Sequence, residues 1–553
     1  MSTPAPSSST SDVEKADAQS PSRVIADQER GYAQIPNVDH ETRSSPGHTN
    51  GGGPHSTTAP PANPTHGYEE YYDYATSSAQ EFWDRLRGKG RRRIGWGEST
   101  KNIVLSSWLN VLFIVIPFAW VSFWVKDHEG EHIWGGDVPF VLCFLAIIPL
   151  EGIFDWGGEQ MALYLGKDLG DLVIVTLNNA VEAVLAIVLL TKCDLRLLQA
   201  TIVGVVILHL LLIPGVAFLV GGSEVRHQEL HPHHSELNHS LLMIGVLAML
   251  LPTAFFAALD RGASAVAEGG AVVSTDLVND NIRSEILKIS RGIAIILLMV
   301  YICSRIYMHN PPGENNALTV PHDAPEELKH EEKHLREEEP LTNPWACMTL
   351  LAITVAIMAV TAEMLVESIE FVRESSGIRE EWFGLILLPF VSFSADGAVA
   401  VIFFCQAVYD RITNKEVHVP SMLARGRAID LSIQFTLWWM PFLVLLGWWT
   451  DRPMHLLFDY FEVALLLGSC FLVNYITADA KTNWVEGFIM VAFYAMIALT
   501  AWFYPGQPSA EFMLACKETV AEAVAADGSE AASGLAVEAG GELVARAWRS
   551  LMA

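Results

Sequence analysis

The chain carries about eleven long apolar blocks, and this pattern constrains its fold more than any other feature. A helix that crosses a bilayer needs about 20 predominantly apolar residues, which is the typical length of these blocks. The predicted spans are residues 103–125, 137–154, 171–191, 196–220, 239–258, 286–308, 345–371, 382–408, 430–449, 457–477 and 484–504. The sequence therefore predicts an all-α membrane protein, with the lipid bilayer as its first partner.

Composition narrows the class further. Of 553 residues, 51% are hydrophobic and only 18% are charged, and the apolar residues come in blocks rather than in amphipathic patterns. This excludes a soluble enzyme and a collagen-like chain. Seven cysteines lie far apart and form no CxxC pair, so neither a zinc site nor a disulfide framework is predicted. The formal net charge of −28 argues against nucleic acid as a partner.

The polar segments divide the chain. Residues 1–100 are predicted to form a disordered cytosolic tail, because they cannot bury enough apolar surface to offset the entropy of ordering. The tail ends in basic residues immediately before the first span, which keep that side cytosolic. These basic residues are Arg85, Arg87, Lys89, Arg91, Arg92 and Arg93.

Two blocks of spans follow, in residues 101–310 and 344–505. Between them, residues 311–343 form an acidic cytosolic linker, which is either a solvated helical connection or a sensor of divalent cations or pH. The C-terminal tail, 506–553, is given no function.

Carboxylates occur where apolar residues are expected. Asn178, Asn179 and Glu182 share one face of the third span, and Ser392 and Asp396 lie four residues apart in the eighth. Ionisable groups at bilayer depth are costly and usually mark ion pathways. The alternative for a single intramembrane carboxylate is a structural hydrogen bond.

The two acidic motifs look like copies of one another. Gly170 precedes Glu182 by the same interval that separates Gly384 from Asp396, with one copy in each half. With the predicted spans, the copies enter the membrane from opposite sides. One N-terminal helix plus two inverted five-helix repeats is therefore predicted, with an ion site near the midplane, as in many secondary transporters.

Several stretches resemble the cation/proton exchangers (CAX type) of the calcium/cation antiporter superfamily, over about residues 100 to 505. They include FLAIIPL (144–150), SRGIAIILL (290–298), LVESIE (365–370), PFLVLLGW (441–448) and LVNYITADAKTNWVEG (472–487). The resemblance implies eleven spans with an acidic linker between the halves. It also implies exchange of Ca²⁺, or of Mn²⁺ or a monovalent cation, for protons, typically across vacuolar membranes of fungi and plants.

The residues and the resemblance together predict the ion site. The metal-binding residues are Asn178, Asn179, Glu182, Ser392, Asp396 and Gln434, and the accessory proton or cation path contains Glu159, His209 and Glu363. Ca²⁺ takes about six to eight oxygen ligands, which these carboxylates, amides and hydroxyls could supply with backbone carbonyls. No cofactor is predicted, since Ca²⁺ and H⁺ are the transported ions. Assembly as a homo-oligomer is left open.

The chain departs from the family pattern at this site. The first repeat has Asn178 where the family has glycine, and the second reads Ser392-Phe393-Ser394-Ala395-Asp396-Gly397 in place of Gly-Asn-Ala-Ala-Glu-His. One alternative is therefore a transport-impaired regulator that keeps the fold, and another is an intramembrane hydrolase. His209 is either a proton carrier or a packed histidine. The histidines between 227 and 239 are either solvated or metal-binding.

Overall fold

The structure is built almost entirely from helices. The computed structural model describes residues 83–125, 134–264, 279–309, 339–397 and 427–522, except for short gaps at 85, 88–91, 166, 222–227, 230–231, 392, 395–396, 480, 518 and 521. The helices are α1 (Trp96–Val104), α2 (Val115–Trp124), α3 (Asp137–Leu165), α4 (Lys167–Asn178), α5 (Ala180–Lys192), α6 (Leu195–Ile207), α7 (Ile213–Gly221), α8 (Pro232–Ser264), α9 (Asp280–His309), α10 (Pro344–Ser376), α11 (Glu380–Trp382), α12 (Arg427–Gln434), α13 (Met440–Trp449), α14 (Tyr460–Ile476), α15 (Trp484–Phe503) and α16 (Pro508–Leu514). Strands β1 (Gln228–Glu229) and β2 (Lys481–Thr482) pair antiparallel.

The described helices agree with the predicted spans. Seven continuous helices are long and apolar enough to cross a membrane, two further spans are bent pairs of helices, and α14 is a shorter apolar helix. These helices lie at every predicted block except the eighth, which begins in the structure and then leaves the described residues after 397. Large apolar side chains such as Phe118, Phe471 and Phe503 remain exposed on the helices. A helical membrane protein is confirmed, and the count of eleven spans stays a prediction.

The first span begins later than predicted. Helix α1 meets the helical segment 108–124 at 92°, so residues 103 and 104 belong to a separate helix. The Asn110 side-chain amide donates to the carbonyl oxygens of Ile103 (3.0 Å) and Val104 (3.2 Å). The amide thereby joins the Ser106 N–H and hydroxyl as donors to the Ile103 carbonyl and gives the Val104 carbonyl a donor at the end of α1. Ser107 then caps the 3₁₀ helix Trp108–Ile114 that leads into α2.

Within the described residues, three π-helical turns widen the bundle helices, and each is followed by a proline. The turns are Leu208–Leu212, Phe383–Leu387 and Phe435–Trp439, and Pro214, Pro389 and Pro441 lie at the second residue beyond them. Proline has no N–H, and its ring clashes with the carbonyl four residues earlier, so the preceding turn widens instead of closing normally. Turns of this kind are frequent at functional sites.

Glycines allow close contact between helices from the two halves. Gly204 in α6 packs on the second π turn, where an added Cβ would lie 2.7 Å from the Pro389 Cγ. Gly384 packs back on Ala200, and an added Cβ there would also be 2.7 Å from its Cβ. Helices in membranes associate through small residues that let backbones approach closely.

A disulfide joins Cys193 at the end of α5 to Cys516 after α16, with 6.4 Å between their Cα atoms. Far-apart cysteines without a spacing pattern do not predict this single bond, which is not a disulfide framework. Cys193 adopts a left-handed backbone conformation that ends α5. The pairing is tertiary, because 323 residues separate the two cysteines.

Several predicted features lie outside the described residues. These are most of the N-terminal tail, the acidic linker up to residue 338, His227, His231, Ser392, Asp396 and the C-terminal residues after 522.

Candidate ion site

The third predicted span is broken at its polar motif. Helices α4 and α5 meet at 52°, with Asn179 at the junction. Broken spans of this kind provide side chains and free backbone groups for ion binding within the membrane. Glu182 lies in the first turn of α5, where the positive end of the helix dipole stabilises a carboxylate.

Glu182 lies next to His209. The Glu182 Oε1 is 3.7 Å from the His209 Nε2, and both side chains are buried. The first π turn carries His209 and aims it at α5. The structure thus brings together a predicted ion ligand and a predicted residue of the accessory path.

Asn179 connects the broken span to α12. Its Nδ2 donates to the Gln434 Oε1 at 2.9 Å and to the Leu431 carbonyl oxygen at 3.3 Å. The Gln434 Nε2 in turn donates to the Thr176 Oγ1 at 2.8 Å and to the Tyr301 hydroxyl at 3.0 Å. Two predicted ligands therefore share one buried hydrogen-bond network. Sequence reasoning missed Thr176 and Tyr301, because a single hydroxyl in an apolar block gives no pattern.

Asn178 turns away from this network and toward α3. With its amide nitrogen facing acceptors, Asn178 donates to the Asp155 Oδ1 at 3.0 Å and to the Ile174 carbonyl oxygen at 2.8 Å. The predicted second span ended at residue 154, whereas α3 continues to Leu165. Asp155 was missed for this reason. The signal was present, since Glu151, Asp155 and Glu159 recur every fourth residue on one helix face.

The remaining accessory residues lie elsewhere. Glu363 is exposed on α10 and forms an ion pair with Lys192 at 3.2 Å. Glu159 is half-buried on α3, next to Gln160, whose Oε1 accepts a hydrogen bond from the Leu341 N–H at 2.8 Å. Because Ser392 and Asp396 are outside the described residues, the predicted opposition of Glu182 and Asp396 stays a prediction.

The described part of the predicted site offers buried oxygen atoms of the kind that hard cations bind. The Asn179 Oδ1 is buried and accepts no hydrogen bond from the described residues, and the Glu182 carboxylate lies one helical turn further along. Carboxylate and amide oxygens are the ligands that Ca²⁺ prefers. Among the described residues, no group of three or more His, Cys, Asp or Glu side chains could hold a metal ion by itself.

The sodium/calcium exchanger protein family matches residues 136–308 and 347–503, which is more than half of the chain. The chain belongs to this family. A vacuolar calcium ion transporter of Cryptococcus neoformans var. grubii is 31% identical over 78% of this chain and 79% of its own length. A Ca²⁺/H⁺ antiporter of Synechocystis is 30% identical over 71% of this chain and 97% of its own length.

The exchanger fold is supported by a solved structure as well. Native YfkE aligns with a TM-score of 0.50 at 22% identity, covering 71% of this chain and all of YfkE. In the chain described here, the family match spans both halves and includes the broken third span, the π turn with His209 and the Gln434 network.

Proposed function

We propose that this protein is a secondary active antiporter that exchanges Ca²⁺ for protons across a vacuolar membrane. The observation that carries the proposal is the buried Glu182 at a helix break, 3.7 Å from His209, where Asn179 of the same break bonds to Gln434. The two relatives described above are named for calcium transport and for Ca²⁺/H⁺ antiport, which supports the same function. Their names are of transporters rather than of enzymes or regulators, so neither alternative gains support.

Exchange follows from competition for the same carboxylate. A buried carboxylate without a cation is costly, so it binds a proton instead. When a divalent cation approaches, its charge favours the ionised carboxylate and the proton leaves. His209 is close enough to Glu182 to accept or relay that proton with a small movement. Alternate exposure of the site to the two faces then couples cation movement to proton movement.

The disulfide supports a cytosolic N-terminus. Three predicted spans separate Arg93 from Cys193, so the predicted topology has the disulfide and the N-terminal basic residues on opposite faces. Disulfides persist in oxidising compartments, which supports a lumenal position for the Cys193 face. Basic residues next to the first span favour the cytosol independently.

Flux through the purified protein in liposomes tests the function. With an acidic interior we expect Ca²⁺ uptake that stops when the proton gradient is dissipated. Glu182→Gln should reduce uptake at least about tenfold, since the amide can neither release a proton nor offer a negative charge, and tenfold corresponds to about 1.4 kcal/mol. Glu367→Gln is the matched control, because Glu367 is a half-exposed carboxylate that pairs with Lys192 at 3.6 Å. Wild-type vesicles that take up no cation in response to the gradient would contradict the proposal.

A further inference from the structure

A second buried cluster of charges lies far along the chain from the ion site motif. Arg196, at the start of α6, is buried, and its Nη2 faces three carboxylates. The distances are 3.2 Å to the Asp459 Oδ2, 3.6 Å to the Glu381 Oε1 and 3.7 Å to the Glu462 Oε1. We call these four residues the Arg196 cluster. It joins the ends of α6, α11 and α14.

The three carboxylates are not equivalent. The Asp459 carboxylate has hydrogen-bond donors in addition to Arg196. Its Oδ1 accepts hydrogen bonds from the Tyr504 hydroxyl at 2.7 Å and from the Phe461 N–H at 2.8 Å. Neither oxygen of Glu462 accepts a hydrogen bond of ordinary geometry from the described residues, although both are buried. The Glu462 carboxylate lies 3.7 Å from the Arg196 Nη2 and also interacts with the Asp459 backbone N–H.

One guanidinium cannot neutralise three carboxylates, of which Asp459 and Glu462 are buried and Glu381 is half-buried. A buried anion that lacks hydrogen-bond donors is costly by several kcal/mol, and such a group is neutralised by binding a proton. The alternative neutraliser is a metal ion. The Arg196 cluster does not form a metal site, since the described residues contain no group of three acidic, histidine or cysteine side chains that could hold a metal ion. Its guanidinium would also repel a cation.

The cluster lies on the face that carries the disulfide. Arg196 is three residues beyond Cys193, so the same three predicted spans separate it from the N-terminus. The charged and titratable groups that surround Glu462 on the elements packed against it are Arg196, Asp459, Glu381, Glu380 and Tyr504. Helix α6 continues directly into the π turn that carries His209, and α11 leads into the predicted eighth span, to which Asp396 belongs. The cluster thus links the starts of two segments that lead to predicted site residues.

We propose that Glu462 is a second proton-binding site, reached from the face opposite the N-terminus, and that its protonation state sets how Arg196 holds α6, α11 and α14 together. With a proton on Glu462, Arg196 is shared between Asp459 and Glu381 and the three ends are held in the observed contacts. Loss of that proton adds a third anion, which draws Arg196 toward α14 and weakens its contact with α11. The inference uses the proposed antiport only in its transport assay.

Infrared difference spectroscopy of the protein in liposomes tests the proposal without requiring transport. Between about pH 5 and about pH 8, wild type should lose one more protonated-carboxyl band than Glu462→Gln, which has no acid at this position. Glu462→Asp, which restores an acid one methylene shorter, should regain a protonated-carboxyl band at a frequency and a titration midpoint that differ from those of wild type. Glu182→Gln should keep the Glu462 band while losing flux, so failure of the antiport and failure of this inference give different results.

A transport assay distinguishes proton binding by Glu462 from a purely structural role, which would leave the pH dependence of transport unchanged. In wild type, the rate of Ca²⁺ exchange should change with the pH at the disulfide face. In Glu462→Gln, which should still transport, the change in rate across the same pH range should be at least twofold smaller. Equal band loss in wild type and Glu462→Gln would overturn the proposal. If Glu462→Gln does not fold, a Glu462→Asp protein whose carboxyl spectrum and pH profile match those of wild type in every band would overturn it as well.

Discussion

Replacing Gln434 by alanine tests whether the amide network prepares the ion site. The Gln434 side chain takes part in three hydrogen bonds, with Asn179, Thr176 and Tyr301. Hydrogen bonds between membrane helices contribute about 0.6 kcal/mol each on average, so the network is worth about 2 kcal/mol. If this free energy holds Asn179 beside Glu182, its loss should weaken apparent Ca²⁺ affinity about 25-fold, since about 1.4 kcal/mol corresponds to tenfold.

The assay is the Ca²⁺ concentration dependence of uptake into liposomes at a fixed proton gradient. Thr436→Val is the matched control, because Thr436 is buried two residues away and bonds only to the carbonyl oxygens of Ser432 and Ile433 in its own helix. We expect the control to change affinity less than about twofold, which is about 0.4 kcal/mol. An affinity of folded Gln434→Ala within twofold of wild type would refute the reasoning, as would equal losses in both variants.

Two further predictions concern stability. Burial, reinforced by the neighbouring Asp194 and partly offset by Arg373, raises the pKa of Glu380 to about 7 from its ordinary 4.5. The folded protein therefore holds a proton that the unfolded chain releases, and the free energy of unfolding should fall as pH rises between these values. Thermal unfolding in detergent should show this slope in wild type and a shallower one in Glu380→Gln; identical slopes would contradict it. Gly204→Leu should destabilise the fold by about 1–3 kcal/mol, because its side chain would overlap the second π turn. Gly292→Leu, on an open helix surface, is the control, and equal melting temperatures for the two variants would show that the contact is unimportant.

The contact between Glu182 and His209 separates what a sequence pattern can predict from what only the structure shows. Glu182 could be identified from the sequence, because burying an ionisable side chain within a membrane span costs free energy and such residues usually mark ion pathways. That His209 comes within 3.7 Å of it depends on how α6 and the π turn pack against α5, which the spacing along one helix does not show. Prolines at the same offset beyond all three π turns were visible in the sequence, but their effect on the preceding turn needs the helix geometry.

The sequence by itself determined that the chain is a helical membrane protein and where nearly all its spans lie, because the bilayer imposes a length and a polarity on each helix that can be counted along the chain. It also determined the polar motif with Glu182. Only the tertiary structure decided that Asn178 faces Asp155, that Asn179 bonds to Gln434, that Cys193 bonds to Cys516 and that Arg196 meets three acids. These partners are separated by between 23 and 323 residues and lie on different helices. Which faces of two apolar helices meet is set by the packing of side chains between them, and periodicity within one helix carries no information about that choice.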